Sequence, residues 1–149
     1  MTEKRPRRIL RRLSIVVVLT AVVIQFVPVD RGNPPIDPSL QLTAPQDVLA
    51  VLKRSCWDCH SHETIWPWYS YVAPISWFVA NHVHEGREKL NFSTWLDEYP
   101  DDVDQEDARD ECWDEVKKGK MPLRSYLISH RDADLSDADK ALLKAWAAR

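Results

Sequence analysis

The N-terminal segment constrains the fold of this chain more than any other part of it. Six cationic side chains lie within residues 4–12, and the run from Leu13 to Val29 that follows has no charged residue. A helix over this run is about 26 Å long, which is at the short end for crossing a bilayer. The run ends Gln25-Phe26-Val27-Pro28-Val29, without the Ala-x-Ala pattern that precedes a cleavage site. The sequence therefore predicts an uncleaved single-pass membrane helix rather than a removed signal peptide or a buried core helix.

The charges on the two sides of this helix predict its orientation. Residues 1–30 carry six basic and two acidic side chains, whereas residues 31–149 carry fourteen basic and twenty-one acidic ones. By the positive-inside rule, the basic head stays in the cytoplasm and the rest of the chain lies on the periplasmic or extracytoplasmic side. The acidic remainder argues against nucleic acid as a partner, because phosphate binding needs clustered lysine and arginine.

Three parts follow from this organisation. Residues 1–30 form the basic head and membrane anchor, and residues 31–45, with four prolines, form a semi-rigid linker. Residues 46–149 form one domain. The whole chain has only three glycines, which argues against a sheet protein with many tight hairpins, and no segment alternates as a strand does. We therefore predict an all-α fold, a small helical domain behind an N-terminal transmembrane helix.

Capping residues and glycines predict five helices in the domain. The predicted boundaries are a start at Thr43 with Gln46 as its capping-box partner, a start near Pro74 with Gly86 as C-cap, a short helix from Ser93, a helix over about 103–118 stopped by Gly119, and a start at Ser136 with Asp139 at N3.

The sequence Cys56-Trp57-Asp58-Cys59-His60 is a C-x-x-C-H motif. On a helical turn its two thiols and its imidazole project to the same side, at the end of a stripe with Leu49 and Leu52. Two thiols can add to the two vinyl groups of a haem while the imidazole binds the iron. A zinc half-site needs a second Cys or His pair, and a thioredoxin-like dithiol needs a βαβ context; neither is found in the sequence. The motif therefore predicts a single covalently attached haem c and a cytochrome c-like domain.

Met121 is the leading candidate for the second axial iron ligand. It is the only methionine besides Met1, it follows the fourth predicted helix, and Pro122 stiffens its loop. His/Met ligation raises the reduction potential relative to bis-His ligation. The alternatives are that Met121 packs in the core, and that His82, on the apolar face of the second helix, is the ligand instead. His62, His84, His130 or an open site are further alternatives.

Longer motifs surround the C-x-x-C-H sequence. They are Cys-x-x-Cys-His-Ser-x-x-Thr-x-Trp-Pro-Trp-Tyr at 56–69, Ala-Pro-x-Ser-Trp at 73–77, Gly-Arg at 86–87, Leu-Asn-Phe-Ser-x-Trp at 90–95, and Met121-Pro122 followed by Tyr126 and His130. Together they resemble the family of exported proteins called the haem-binding domain, within the broader cytochrome c group. The resemblance covers about Thr43 to Trp146. It implies haem attachment at Cys56 and Cys59, with His60 and Met121 as the iron ligands, but it implies no particular reaction.

Other residues are candidates for supporting the cofactor. Arg87 is a candidate partner of a haem propionate or, alternatively, of Glu85 or Glu88, while Trp95 or Tyr126 are candidate hydrogen-bond donors to the cofactor. A carbonyl near Pro67 or Pro74 is the expected acceptor for the second ring nitrogen of the ligating histidine. The aromatic residues of 66–77 either wall off a macrocycle or build a core. Cys112 is expected to be a small buried hydrophobe.

These expectations combine into one functional hypothesis. The chain is a membrane-anchored monohaem c-type protein that transfers one electron between partners outside the cytoplasmic membrane. A redox partner of basic charge could dock on residues 97–115, which hold eleven acidic residues and one basic residue. No acid–base pair or substrate pocket is suggested, so an enzyme is not expected. The alternatives are a haem-based sensor or ligand-binding module and a haem peroxidase-like enzyme.

Overall fold

The computed structural model describes residues 4–149, and this part of the chain is helical. Its α-helices are α1 (Lys4–Val23), α2 (Gln46–Ser55), α3 (Ile75–Lys89), α4 (Trp95–Glu98), α5 (Asp102–Lys117), α6 (Arg124–Leu127) and α7 (Asp137–Ala147). Short 3-10 helices cover Ile24–Phe26, Trp68–Tyr71 and Arg131–Ala133. No strand occurs among the described residues. The all-α prediction is therefore confirmed.

The described residues form two compact units. One unit combines the chain up to Gly32 with Trp66–Asn81, and the other combines Asn33–Ile65 with His82–Arg149. In the first unit the helical stretch Arg7–Phe26 contains an 18-residue window with a mean hydropathy of 2.0, and no residue of that window is buried. Within the described part of the chain it alone is long and apolar enough to cross a membrane.

The second unit is built around an apolar core in which α7 packs against both α2 and α5. Aromatic rings form the centre of that core. Phe92 stacks on Trp57 with ring centroids 5.1 Å apart, and the ring centroids of Phe92 and Trp95 are 6.2 Å apart. Phe92 and Trp95 are fully buried. The proline-rich residues 33–45 belong to this unit, where the backbone N–H of Leu42 donates to the Phe92 carbonyl.

Two helices have local capping signals, of which the sequence predicted Gly119 and the pair Ser136 and Asp139. The side chain of Asp101 accepts from the backbone N–H groups of Val103 and Asp104 at the start of α5, and Gly119, with φ of 68°, follows its end. Ser136 and Asp139 form a complete capping box at the start of α7. Both predicted helices are confirmed.

Two other boundary predictions are wrong. The helix α2 begins at Gln46 after Pro45, and no side-chain capping bond is made there, so Thr43 is not its cap. The helix α3 continues through Gly86 to Lys89. Gly86 therefore does not end the helix. A glycine is needed at this position because of a contact with the C-x-x-C-H motif, which is described below.

Candidate functional site

The C-x-x-C-H motif occupies a turn that directly follows α2. The helix ends at Ser55, and the backbone N–H groups of Cys59 and His60 both donate to the Cys56 carbonyl, at 3.2 and 3.1 Å. The sequence predicted one continuous stripe of Leu49, Leu52, Cys56 and Cys59, and this prediction is wrong. The residues that α2 buries are Val48, Val51, Leu52 and Ser55, while Leu49 is only partly buried. The turn still brings Cys56, Cys59 and His60 to the wall of one cavity.

Gly86 allows α3 to pass against this turn. A Cβ atom at position 86 would lie 2.5 Å from the carbonyl oxygen of Cys59 and 3.2 Å from its Cβ. Real carbon atoms do not approach a backbone oxygen that closely, so any side chain here would displace the turn or the helix. The glycine of the Gly-Arg motif thus serves close packing of the helix on the second cysteine.

A backbone carbonyl fixes the imidazole of His60. Its Nδ1 lies 3.0 Å from the carbonyl oxygen of Leu90. A carbonyl only accepts, so Nδ1 carries the proton and donates, and the lone pair of Nε2 is available to a metal. The expectation that the acceptor lies near Pro67 or Pro74 is wrong. Burial lowers the pKa of His60, which favours the neutral ring that iron ligation requires.

The cavity has a volume of about 560 Å³ and is lined by residues of the second unit. Its wall is mostly apolar and sulfur-bearing, with charged groups in addition. The sulfur-bearing and histidine residues are Cys56, Cys59, Cys112, Met121, His60 and His82, and the charged ones are Asp58, Glu85, Lys89, Glu111, Glu115 and Lys120. This volume is within the range of about 300–1,000 Å³ typical of cofactor and ligand pockets. The cavity therefore combines sulfur and imidazole donors with an apolar wall, as a haem requires.

Met121 contributes to the cavity wall from the loop after α5. Its backbone N–H and that of Lys120 both donate to the Glu115 carbonyl, at 3.2 and 3.0 Å, which holds the loop against the end of that helix. Its side chain is half-buried and also packs against the apolar core. His82, the rival ligand, lines the same cavity from α3, whereas His62, His84 and His130 lie outside its lining.

Tyr126 lines the cavity and is tied to the motif. Its hydroxyl donates to Oδ2 of Asp58 at 2.8 Å, and Oδ1 of Asp58 accepts from the backbone N–H of Ile65. Burial, followed by the bond to Asp58, raises the pKa of Tyr126. Asp58, between the two cysteines, is a positioning residue that sequence reasoning missed; its only signal was a carboxylate inside the motif.

Arg87 and Trp95 lie outside the cavity lining. The guanidinium of Arg87 donates to the Ser61 carbonyl at 2.8 Å and to the hydroxyl of Thr64 at 2.9 Å, and so holds the loop that follows His60. The indole N–H of the fully buried Trp95 donates to Gln105 at 3.2 Å. Arg87 thus lies beside the loop that follows the motif, and Trp95 lies in the core. The aromatic residues of 66–77 do not belong to the lining either.

All three cysteines are free of disulfide bonds. Burial raises the pKa of Cys59 to about 11 and that of Cys112 to about 12, and it raises the pKa of Cys56 as well. The thiols are therefore protonated at neutral pH. Cys112 lies on α5, where it is partly buried against the core, as a small hydrophobe would be, and it also lines the cavity.

Comparison with known protein families identifies a match. The sequence model of a family described as the haem-binding domain matches residues 19–149, which is most of the chain. No curated protein and no solved structure matches the chain significantly.

Proposed function

Because the chain belongs to the haem-binding domain family, we propose that it holds one haem covalently through Cys56 and Cys59. The observation that carries this proposal is the meeting of both thiols and the His60 imidazole on one cavity of about 560 Å³. Within the described residues, no group of three or more His, Cys, Asp and Glu side chains has the arrangement of a metal-ion site. A zinc site therefore lacks the further ligands that it needs.

Cys56 and Cys59 would hold the haem through two thioether bonds. Each bond would correspond to addition of an S–H across a vinyl C=C bond, with sulfur on one carbon, hydrogen on the other and no net oxidation. Asp58 and Gly86 fix the turn that carries the two cysteines.

The cofactor supplies an iron that changes its charge by one electron. His60 would bind the iron through Nε2, since the Leu90 carbonyl holds the proton on Nδ1. We propose Met121 as the ligand on the other side. The apolar wall of the cavity limits the access of solvent to the iron and so favours the reduced, Fe(II) state. A thioether ligand favours the same state. With His60 and Met121 both bound to it, the iron would be suited to electron transfer rather than to binding a substrate.

Substitution of Met121 tests this assignment. In Met121→Ala we expect changed absorption of the oxidised protein, a lower reduction potential within the range of roughly 0.8 V that axial ligands set, and faster carbon monoxide binding by the reduced protein. His82→Ala is the matched control, because His82 lines the same cavity, and its spectrum and potential should stay close to wild type.

The two variants distinguish the candidate functions. If the spectrum and potential are unchanged in Met121→Ala and both are changed in His82→Ala, the iron ligand is His82 and not Met121. Rapid carbon monoxide binding by the wild-type protein would contradict electron transfer as the function. It would support a sensor or a peroxidase-like enzyme instead.

We further propose that the helical stretch Arg7–Phe26 anchors the protein in the cytoplasmic membrane, with the cavity on the extracytoplasmic side. The proposal is supported by the unburied, apolar surface of residues 13–26 and by the six cations at positions 4–12 before them. After carbonate washing the protein should stay in the membrane pellet, and protease added from the periplasmic side should degrade residues beyond 31. Release by carbonate would contradict the anchor.

The proposed redox partner is a protein with a basic docking surface. Residues 97–115 hold eleven acidic side chains and one basic one, and Glu111 and Glu115 line the cavity itself. Complementary charge speeds encounter at low salt. The rate of electron exchange with a basic partner should therefore fall as ionic strength rises, and an opposite dependence would exclude this surface.

A further inference from the structure

The first unit has a run of exposed aromatic and aliphatic side chains that the proposed haem chemistry does not use. We call residues 66–81 the aromatic segment. Trp68 is 78% exposed, and the other exposed members are Tyr71, Val72, Ile75, Trp77 and Phe78. The second unit also has exposed large hydrophobic residues, such as Val103 and Ile128, but these are isolated in the sequence. Exposed apolar side chains concentrated in one segment indicate a surface that meets something other than water.

The aromatic segment is bonded to the C-terminal end of the apolar helical stretch. The side-chain amide of Gln25 pairs with the backbone of Ala73 in both directions: Oε1 accepts from the Ala73 N–H at 2.9 Å, and Nε2 donates to the Ala73 carbonyl at 3.2 Å. Nε2 also donates to the Ala21 carbonyl on the helix itself. A polar amide at the end of an apolar span is thereby satisfied without water.

Arg31 makes a second connection to the same segment. Its guanidinium lies 4.4 Å from the centroid of the Tyr71 ring and donates to the Ser70 carbonyl at 3.2 Å. A cation over an aromatic ring beside an apolar span is suited to the headgroup layer, where phosphates supply negative charge.

The length of the helical stretch sets the depth of these contacts. Arg7–Phe26 comprises 20 residues, and the first six of these include four arginines. Its uncharged part, residues 13–26, is therefore about 21 Å of helix, which is shorter than the hydrocarbon core of about 30 Å. Gln25 is next to its last residue, so it lies at the boundary between hydrocarbon and headgroups when the helix spans. Tryptophan and tyrosine are enriched at that boundary because their rings combine an apolar body with a polar tip.

We propose that the aromatic segment lies in the interface of the bilayer leaflet in which the anchor ends, and that Gln25 fastens it there. The occupant of this surface is thus the lipid of the anchoring membrane. This inference rests on the membrane anchor of the proposed function, and it is independent of the haem site.

Photolabelling from the lipid tests the inference. The full-length protein is reconstituted into phosphatidylcholine vesicles that contain a lipid with a diazirine near the headgroup, and the labelled residues are mapped by mass spectrometry. We expect label on the end of the helical stretch and on exposed residues of the aromatic segment, chiefly Trp68, Tyr71 and Phe78. Gln25→Ala should lose label on the aromatic segment and keep it on the helix. Gln41→Ala, which removes an amide that contacts Glu63 in the second unit, should keep both.

Each contrary outcome has a distinct meaning. Absence of label from the helical stretch would overturn the membrane anchor and this inference together. Label on the helical stretch without label on the aromatic segment would overturn this inference alone and indicate a protein partner for the exposed rings. Full labelling of the aromatic segment in Gln25→Ala would overturn the fastening role of Gln25.

Discussion

Among single residues, Gly86 is the one whose identity the geometry of the site fixes most tightly. A methyl group there would lie 2.5 Å from the Cys59 carbonyl oxygen, which is backbone and cannot swing away. We expect Gly86→Ala to lower the free energy of unfolding by about 1–3 kcal/mol, as overpacking does, and to reduce haem incorporation. Urea unfolding in detergent and the haem-to-protein ratio measure the two effects.

Gly32→Ala is the matched control for that change. Gly32 is exposed, and a Cβ atom there would meet only an oxygen of the exposed Asp30 side chain, at 3.1 Å, and no backbone atom. Its effect should stay within about 0.5 kcal/mol, as for most surface substitutions. Equal effects of the two substitutions would contradict the close approach of α3 to the motif.

At the scale of elements, the start of α7 makes stability depend on pH. The hydroxyl of Ser136, followed by its backbone N–H and by Arg54, holds the pKa of Asp139 below its ordinary value of 3.8. A carboxyl whose pKa is lower in the folded state stabilises the fold above its unfolded pKa. That contribution is lost as the pH falls through the folded pKa.

We therefore expect Asp139→Asn to destabilise the protein at pH 7 by about 0.5–2 kcal/mol, the range of helix-cap substitutions. The difference from wild type should shrink as the pH falls below 4. Asp137→Asn is the control, since Asp137 is on the same first turn but is exposed and outside the capping box. Urea unfolding at several pH values checks this, and a difference that is independent of pH would contradict the role of the charge.

The sequence predicted the helices whose ends are set by residues close by in the sequence. The helices α5 and α7 were predictable because Asp101, Gly119 and the Ser136 capping box act within one turn. The end of α3 was not predictable from local signals. Gly86 is needed as a glycine because its backbone contacts Cys59, which is 27 positions away in the sequence. Local signals cannot distinguish a glycine that ends a helix from one that admits another backbone.

The same distinction applies to the candidate site. Cys56, Cys59 and His60 form one short motif, so the sequence alone brings them together. The Leu90 carbonyl, the bond of Tyr126 to Asp58 and the position of Cys112 on the cavity wall depend on contacts between distant segments. Arg87 and Trp95 were proposed for the cofactor on chemical type, but the structure pairs them with Ser61, Thr64 and Gln105.

At the scale of the whole molecule, charge is separated along the chain. The first thirty residues carry a net charge of +4 from six basic and two acidic residues, and the remainder carries −7 from fourteen basic and twenty-one acidic ones. By the positive-inside rule this asymmetry is the reason for the orientation proposed above, with the basic head in the cytoplasm.

The covalent haem is the central claim, and the mass of the intact protein tests it most directly. The protein is matured in a host competent for cytochrome c assembly, and its mass is measured after acid–acetone treatment, which removes haem that is not covalently bound. We predict the mass of the chain plus one haem for the wild type and for Cys112→Ala, whose cysteine also lines the cavity. The double variant Cys56→Ala, Cys59→Ala should have the mass of the chain alone. A wild-type protein with only the mass of the chain, or a haem that is lost in Cys112→Ala, would contradict the account.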